Sequence, residues 1–122
     1  MKLSQIKNVA VIGSGIMGHG IGQTFALGGY KVTLNDINDE LLKRALQQIR
    51  SNLETFIEFG ITTPEVAKDA LSKIRTNKDI KEAVRQADFV VEAVPEVIEL
   101  KKRILKQLDE YCPRHTIIAS NT

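Results

Sequence analysis

The chain has 122 residues, 43% of them hydrophobic and 26% charged, the profile of one ordinary globular domain rather than a disordered or fibrous chain. Seventeen basic against fifteen acidic residues leave a formal net charge of +2, too weak a field for a dedicated nucleic-acid binder. No apolar run approaches the roughly 20 residues that cross a bilayer, and the lone cysteine, Cys112, allows no internal disulfide and fits a reducing cytoplasm.

Residues 7–12 are apolar and β-branched and run into a glycine cluster, which reads as a strand buried on both faces. Over Ile16–Leu27, the residues Ile16, Met17, Ile21, Phe25 and Ala26 recur at helical spacing until Gly28-Gly29 stops the helix. Residues 31–36 alternate and close on turn formers, a second strand. The strand, helix and strand together take about 30 residues, the length of a right-handed βαβ unit.

Asn38 caps an amphipathic helix over residues 39–59, with Leu41, Leu42, Ala45, Leu46, Ile49, Leu53, Phe56 and Ile57 on one face. After Gly60, Thr62-Thr63-Pro64-Glu65 opens another helix to about residue 71, so the two form a hairpin-like arm. A weak strand over Ile74–Thr76, a short helix over 79–86, and a strong strand over 88–94 halted by Pro95 follow. A helix over 97–111 breaks at Pro113, and 116–119 is a fifth strand. Alternating strands and helices predict an α/β fold, a doubly wound parallel sheet with spatial order 3-2-1-4-5.

Gly13-Ser14-Gly15-Ile16-Met17-Gly18 matches G-x-G-x-x-G at the point where a strand hands over to a helix. In that setting the first glycine makes the turn, the second lets a pyrophosphate approach the backbone, and the third lets the helix pack on the strand. A glycine turn that binds nothing is the competing reading, and the βαβ context weighs against it. Asp36, 23 positions after Gly13, sits where the acid that accepts both ribose hydroxyls is expected, which favours NAD over a 2′-phosphorylated cofactor. It is also a plausible turn former beside Asn35. By topology, Val94-Pro95-Glu96 and the Ser120-Asn121-Thr122 end should line the nicotinamide side, with Asn121 a cofactor contact. Glu96 and Lys101 either converge on the ribose or form a surface ion pair.

These residues resemble the N-terminal NAD-binding domain of the 3-hydroxyacyl-CoA dehydrogenase family. The resemblance runs through VIGSGIMGHGI, FALGGYKVTLND, ADFVVEAVPE followed by LKK, and IIASNT, nearly the whole chain. It implies a Rossmann-type fold for residues 1–122 with NAD as cofactor. The glycine loop, Gly13 to Gly18, would carry the pyrophosphate, Asp36 the adenosine ribose, and Val94, Pro95, Glu96 and Lys101 the nicotinamide half. It further implies hydride transfer between NAD and a 3-hydroxyacyl-CoA, in cytoplasmic fatty-acid metabolism. The base, its orienting glutamate and a substrate serine would lie past Thr122, in a C-terminal helical substrate and dimerisation domain that residues 1–122 lack. The expectation is therefore a chain that binds NAD(H) without turnover, in a homodimer when complete and prone to self-association alone. A free-standing NAD-sensing module and a dehydrogenase of another 3-hydroxy acid are the alternatives.

The family's helical excursion helps hold CoA, yet Asn52 and Phe59 stand where some members carry serine and lysine. His19 and His115 are expected to face solvent rather than to act as the base. Lys101-Lys102-Arg103 with Lys106 reads as a solvated face except at Lys101. Cys112 lacks activating neighbours, and no ligand spacing suggests a metal.

Overall fold

The structure, a computed structural model, describes residues 3–120; Asn121 and Thr122 lie outside the described residues. Strands β1 (Asn8–Ile12), β2 (Lys31–Asn35), β3 (Ile74–Thr76), β4 (Phe89–Glu92) and β5 (Ile117–Ser120) form one parallel sheet in the order β3-β2-β1-β4-β5. They are joined through α1 (Ile16–Leu27), α2 (Asp39–Glu58), α3 (Pro64–Ser72), α4 (Ile80–Val84) and α5 (Ile98–Tyr111), and a short 3-10 turn, Leu3–Gln5, precedes β1. This is the Rossmann-type order expected from the sequence.

Side chains of a strand alternate between faces, and β1 divides the core accordingly. Val9 and Val11 join Val32 and Leu34 under α1, α2 and α3. Ala10 and Ile12 join Val90, Val84 and Leu108 on the α4–α5 side. The helix starts follow local chemistry: the Asn38 side chain accepts from the Leu41 N–H at 2.9 Å, and Thr63 accepts from Val66, with Pro64 in the first turn of α3.

The arm after β2 is a helical hairpin that packs down on the sheet. Leu42, Ala45, Ile49, Leu53, Ala67 and Ala70 all enter the core, and the Asn52 amide donates to Gln23 of α1 at 2.9 Å. Phe59 and Ile61, at its tip, are exposed.

Helix α1 keeps Ile21, Phe25 and Ala26 of the face assigned from apolar spacing against the core, but not its first two residues. Gly18, Gly22, Gln23 and Ala26 are buried, whereas Ile16 is 86% and Met17 58% exposed. The helix lies so near the sheet that a Cβ on Gly22 would stand 2.7 Å from Leu34 Cδ2. Small residues therefore make the closest contact, with Ile21, Phe25 and Leu27 packed at its margin, and Ile16 and Met17 turn outward.

Strand β4 also ends earlier than Pro95 suggested. Glu92 turns its own carboxylate onto the Val94 N–H at 2.8 Å, while Ala93 N–H still donates to Ile12 O at 2.7 Å. The loop thus leaves the sheet directly beside the end of β1. At the far edge, β5 pairs only with β4 and exposes Ile117 and Ile118.

Candidate cofactor site

β1 and β4 flank the switch point of the sheet: the loop after β1 leads to one side, toward β2, and the loop after β4 to the other, toward β5, so the two loops part there. The Gly13 N–H hangs from Asn35 O at 2.9 Å, and Gly13 takes φ +98°, with its absent Cβ directed to within 2.7 Å of Ala93 O. A Cβ on Gly18 would fall 1.8 Å from Gly13 O. Packing within the protein therefore accounts for both of these glycines.

Gly15 is different. Its φ is −66°, open to any residue, and nothing stands within 4 Å of where its Cβ would be. Neither backbone strain nor internal packing requires glycine here, and the space over it is open to close approach by a ligand. Gly15 is also the residue that caps α1, and among the described residues no side chain caps that helix start. Unpaired first-turn amides and the positive end of the helix dipole favour a phosphate.

Asp36 stands beside this loop. Its Oδ2 accepts from both the N–H and the hydroxyl of Ser14, at 2.8 and 2.7 Å, and its Oδ1 accepts from the Ile37 N–H at 2.8 Å. The side chain thus both closes its own turn and reaches across to the glycine loop. A carboxylate has about four acceptor positions, so acceptor capacity remains for a sugar hydroxyl.

Across the switch point, Val94, Pro95 and Glu96 form the loop between β4 and α5, tightened by a Val97 N–H bond to Pro95 O at 2.7 Å. Glu96 and Lys101 are ion-paired at 3.1 Å. The sequence reading missed the third member: Glu92, fully buried, lies 3.6 Å from the same ammonium group and accepts from the Ser120 hydroxyl at 2.6 Å. An acidic residue inside Phe89-Val90-Val91-Glu92-Ala93-Val94 was the available signal. Asn121, expected at this end, lies outside the described residues.

The remaining candidates stay apart from this crevice or are occupied. His19 Nδ1 lies 2.7 Å from Gly15 O, one turn back along its own helix. His115, although exposed, pairs with Asp88 at 2.8 Å, at the opposite end of the strands. Burial and then Asp109 push the Cys112 thiol up from its ordinary value, against nucleophilic use. Lys102, Arg103 and Lys106 are exposed. Asn52 donates its amide to Gln23, and Phe59 is exposed.

The family model described as 3-hydroxyacyl-CoA dehydrogenase, NAD binding domain, matches residues 8–122. The chain belongs to this family. It is 38% identical, over 97% of its length, to the peroxisomal fatty acid beta-oxidation multifunctional protein MFP2 of Arabidopsis thaliana, of which it covers 16%. It is likewise 38% identical, over 97% of its length, to a probable 3-hydroxybutyryl-CoA dehydrogenase of Bacillus subtilis, of which it covers 41%. Among solved structures, the (S)-3-hydroxybutyryl-CoA dehydrogenase of Ralstonia eutropha superposes with a TM-score of 0.92 at 34% identity, over 97% of this chain and 41% of that one. The chain thus spans less than half the length of each of these relatives. As a 3-hydroxyacyl-CoA dehydrogenase NAD-binding domain it has NAD as its cofactor, and the open space over Gly15, the uncapped start of α1 and the Asp36 carboxylate suit a dinucleotide.

Proposed function

We propose that residues 1–122 are the cofactor-holding domain of an enzyme that moves hydride between NAD and a 3-hydroxyacyl-CoA/3-oxoacyl-CoA pair in fatty-acid oxidation. Gly13, Ser14, Gly15, Ile16, Met17 and Gly18 form the pyrophosphate loop, in which the amides at the start of α1 face the anion while those of Gly13 and Ser14 hold the loop itself through Asn35 O and Asp36. Asp36 receives the adenosine ribose, and its charge disfavours a 2′-phosphate. Val94, Pro95, Glu96, Lys101 and Asn121 serve the nicotinamide half. When bound, NAD supplies the hydride acceptor; the chain's own residues anchor and orient it. Hydride transfer also needs a base within reach of the substrate hydroxyl, and both histidines here are engaged, His19 with Gly15 O on its own helix and His115 with Asp88 at the opposite end of the strands. Base, acyl-CoA pocket and dimer contacts belong to a further helical domain, and the complete enzyme works in the cytoplasm.

Gly15 carries this reading, because it is the one motif glycine that the protein's own packing leaves unexplained. The test is calorimetric titration of the chain with NADH, alongside Gly15→Ala. Wild type binds, and the variant loses about tenfold or more in affinity by obstruction of the anion site, while its stability changes by no more than about 1 kcal/mol, the scale of an N-cap substitution. A wild-type chain without binding heat, or undiminished binding by Gly15→Ala, overturns the reading. With acetoacetyl-CoA and NADH, the pure chain shows no turnover; appreciable turnover refutes the assignment of the base to another domain.

A further inference from the structure

We propose that Glu92, outside the set of cofactor contacts, is the positioning residue of the nicotinamide half: it holds Lys101 so that Glu96 is released toward the sugar. The proposal rests on the dinucleotide reading of the site.

Glu92 ends β4 opposite Ile12 of β1 and is 0% exposed. A carboxylate buried among apolar neighbours is strongly disfavoured unless donors surround it. Here the donors come from three different segments: the Val94 N–H at 2.8 Å, the Ser120 hydroxyl at 2.6 Å, and the Lys101 ammonium at 3.6 Å. These are the loop after β4, the end of β5 and the start of α5, the three segments that border the crevice on its nicotinamide side. One side chain therefore sets their mutual position.

Lys101 has two carboxylate partners of opposite character. Its own side chain is 13% exposed; Glu92 is fully buried, whereas Glu96 is 74% exposed. An ion pair through solvent is weak and readily exchanged, while the buried partner cannot leave. Glu96 can thus turn to a pair of sugar hydroxyls without stranding the ammonium group, because Glu92 remains as its counter-charge. Without Glu92, Lys101 keeps Glu96 engaged and itself loses its fixed place.

The experiment titrates the 122-residue chain with NADH and with ADP, which spans only the adenosine and pyrophosphate part. Glu92→Gln preserves shape, but its amide presents a donor where an acceptor is needed. It is expected to lose about tenfold in NADH affinity, the scale of a charge-assisted bond, with ADP affinity unchanged. In a Lys101→Met background the same substitution adds nothing, as for residues acting through one another. Glu92→Asp, which keeps the charge on a shorter arm, loses about threefold on NADH alone. Equal losses for NADH and ADP, or additivity with Lys101→Met, reduce Glu92 to a structural stitch and overturn the proposal. Should Glu92→Gln fail to fold by circular dichroism, an unchanged NADH-to-ADP ratio in Glu92→Asp overturns it equally. A wild-type chain that binds neither ligand refutes the dinucleotide reading itself, whereas wild-type binding with unchanged ratios sinks only the role of Glu92.

Discussion

Ser14 and Asp36, 22 positions apart, are joined by two hydrogen bonds onto a single carboxylate oxygen, from the serine N–H at 2.8 Å and its hydroxyl at 2.7 Å. The acid at the end of β2 and the middle of the glycine loop therefore form one unit. An alteration of either should be felt in stability and, on the proposed function, in cofactor choice.

Asp36→Ala should show both effects. Ser14 is buried, and its two donors lose their acceptor, at a cost of about 1–3 kcal/mol measurable by urea unfolding. The same variant should lose much more affinity for NADH than for NADPH, because the carboxylate proposed to accept the ribose hydroxyls would also repel a 2′-phosphate. Equal loss for both cofactors, by calorimetry, removes the discrimination argument.

Gly18→Ala should fail for a reason opposite to that of Gly15→Ala. Its Cβ would overlap Gly13 O at 1.8 Å, a backbone atom that cannot swing aside, so the helix must lift from the turn. Overpacking of this kind costs about 3 kcal/mol or more. The expected result is a large drop in unfolding midpoint for Gly18→Ala and almost none for Gly15→Ala. Similar midpoints would contradict the division of the motif into packing and ligand glycines.

Acid sensitivity should centre on Asp88, at the opposite end of the strands from the cofactor site. Burial acts to raise its pKa, but N–H bonds from Asn8 and Lys7, at 3.0 and 2.9 Å, and the neighbouring His115 outweigh it and hold the carboxyl below its ordinary value. A carboxyl depressed by folding contributes stability above its unfolded-state pKa and loses it as pH falls through the folded one. Chemical unfolding from neutral pH downward should therefore show wild type losing its advantage over Asp88→Asn as the solution becomes acid. A constant difference between the two across that range would exclude Asp88 as the cause.

The chain's order of elements, its parallel sheet and its phosphate loop were legible in sequence because they rest on local chemistry. Periodicity, the glycine cluster after residue 12, the Asn38 and Thr63 caps and the spacing from Gly13 to Asp36 each act over a few residues or a single βαβ unit. The pairing of Glu96 with Lys101 was one of the two readings that their separation around the start of α5 offered.

Contacts that span the sheet were not legible. Apolar spacing put Ile16 and Met17 among the packed residues of α1, but the helix approaches the strands through Gly18, Gly22 and Ala26, a choice made by Leu34 across the interface. The end of β4 was placed at Pro95, while a side-chain bond from Glu92 to Val94 ends it sooner. Sequence alone determined that a strand, a glycine turn and a helix would follow one another, because backbone geometry does that locally. Only the tertiary structure decided which carboxylates are buried, which are free to move, and which distant donors hold them, because desolvation and partnership depend on segments brought together by folding.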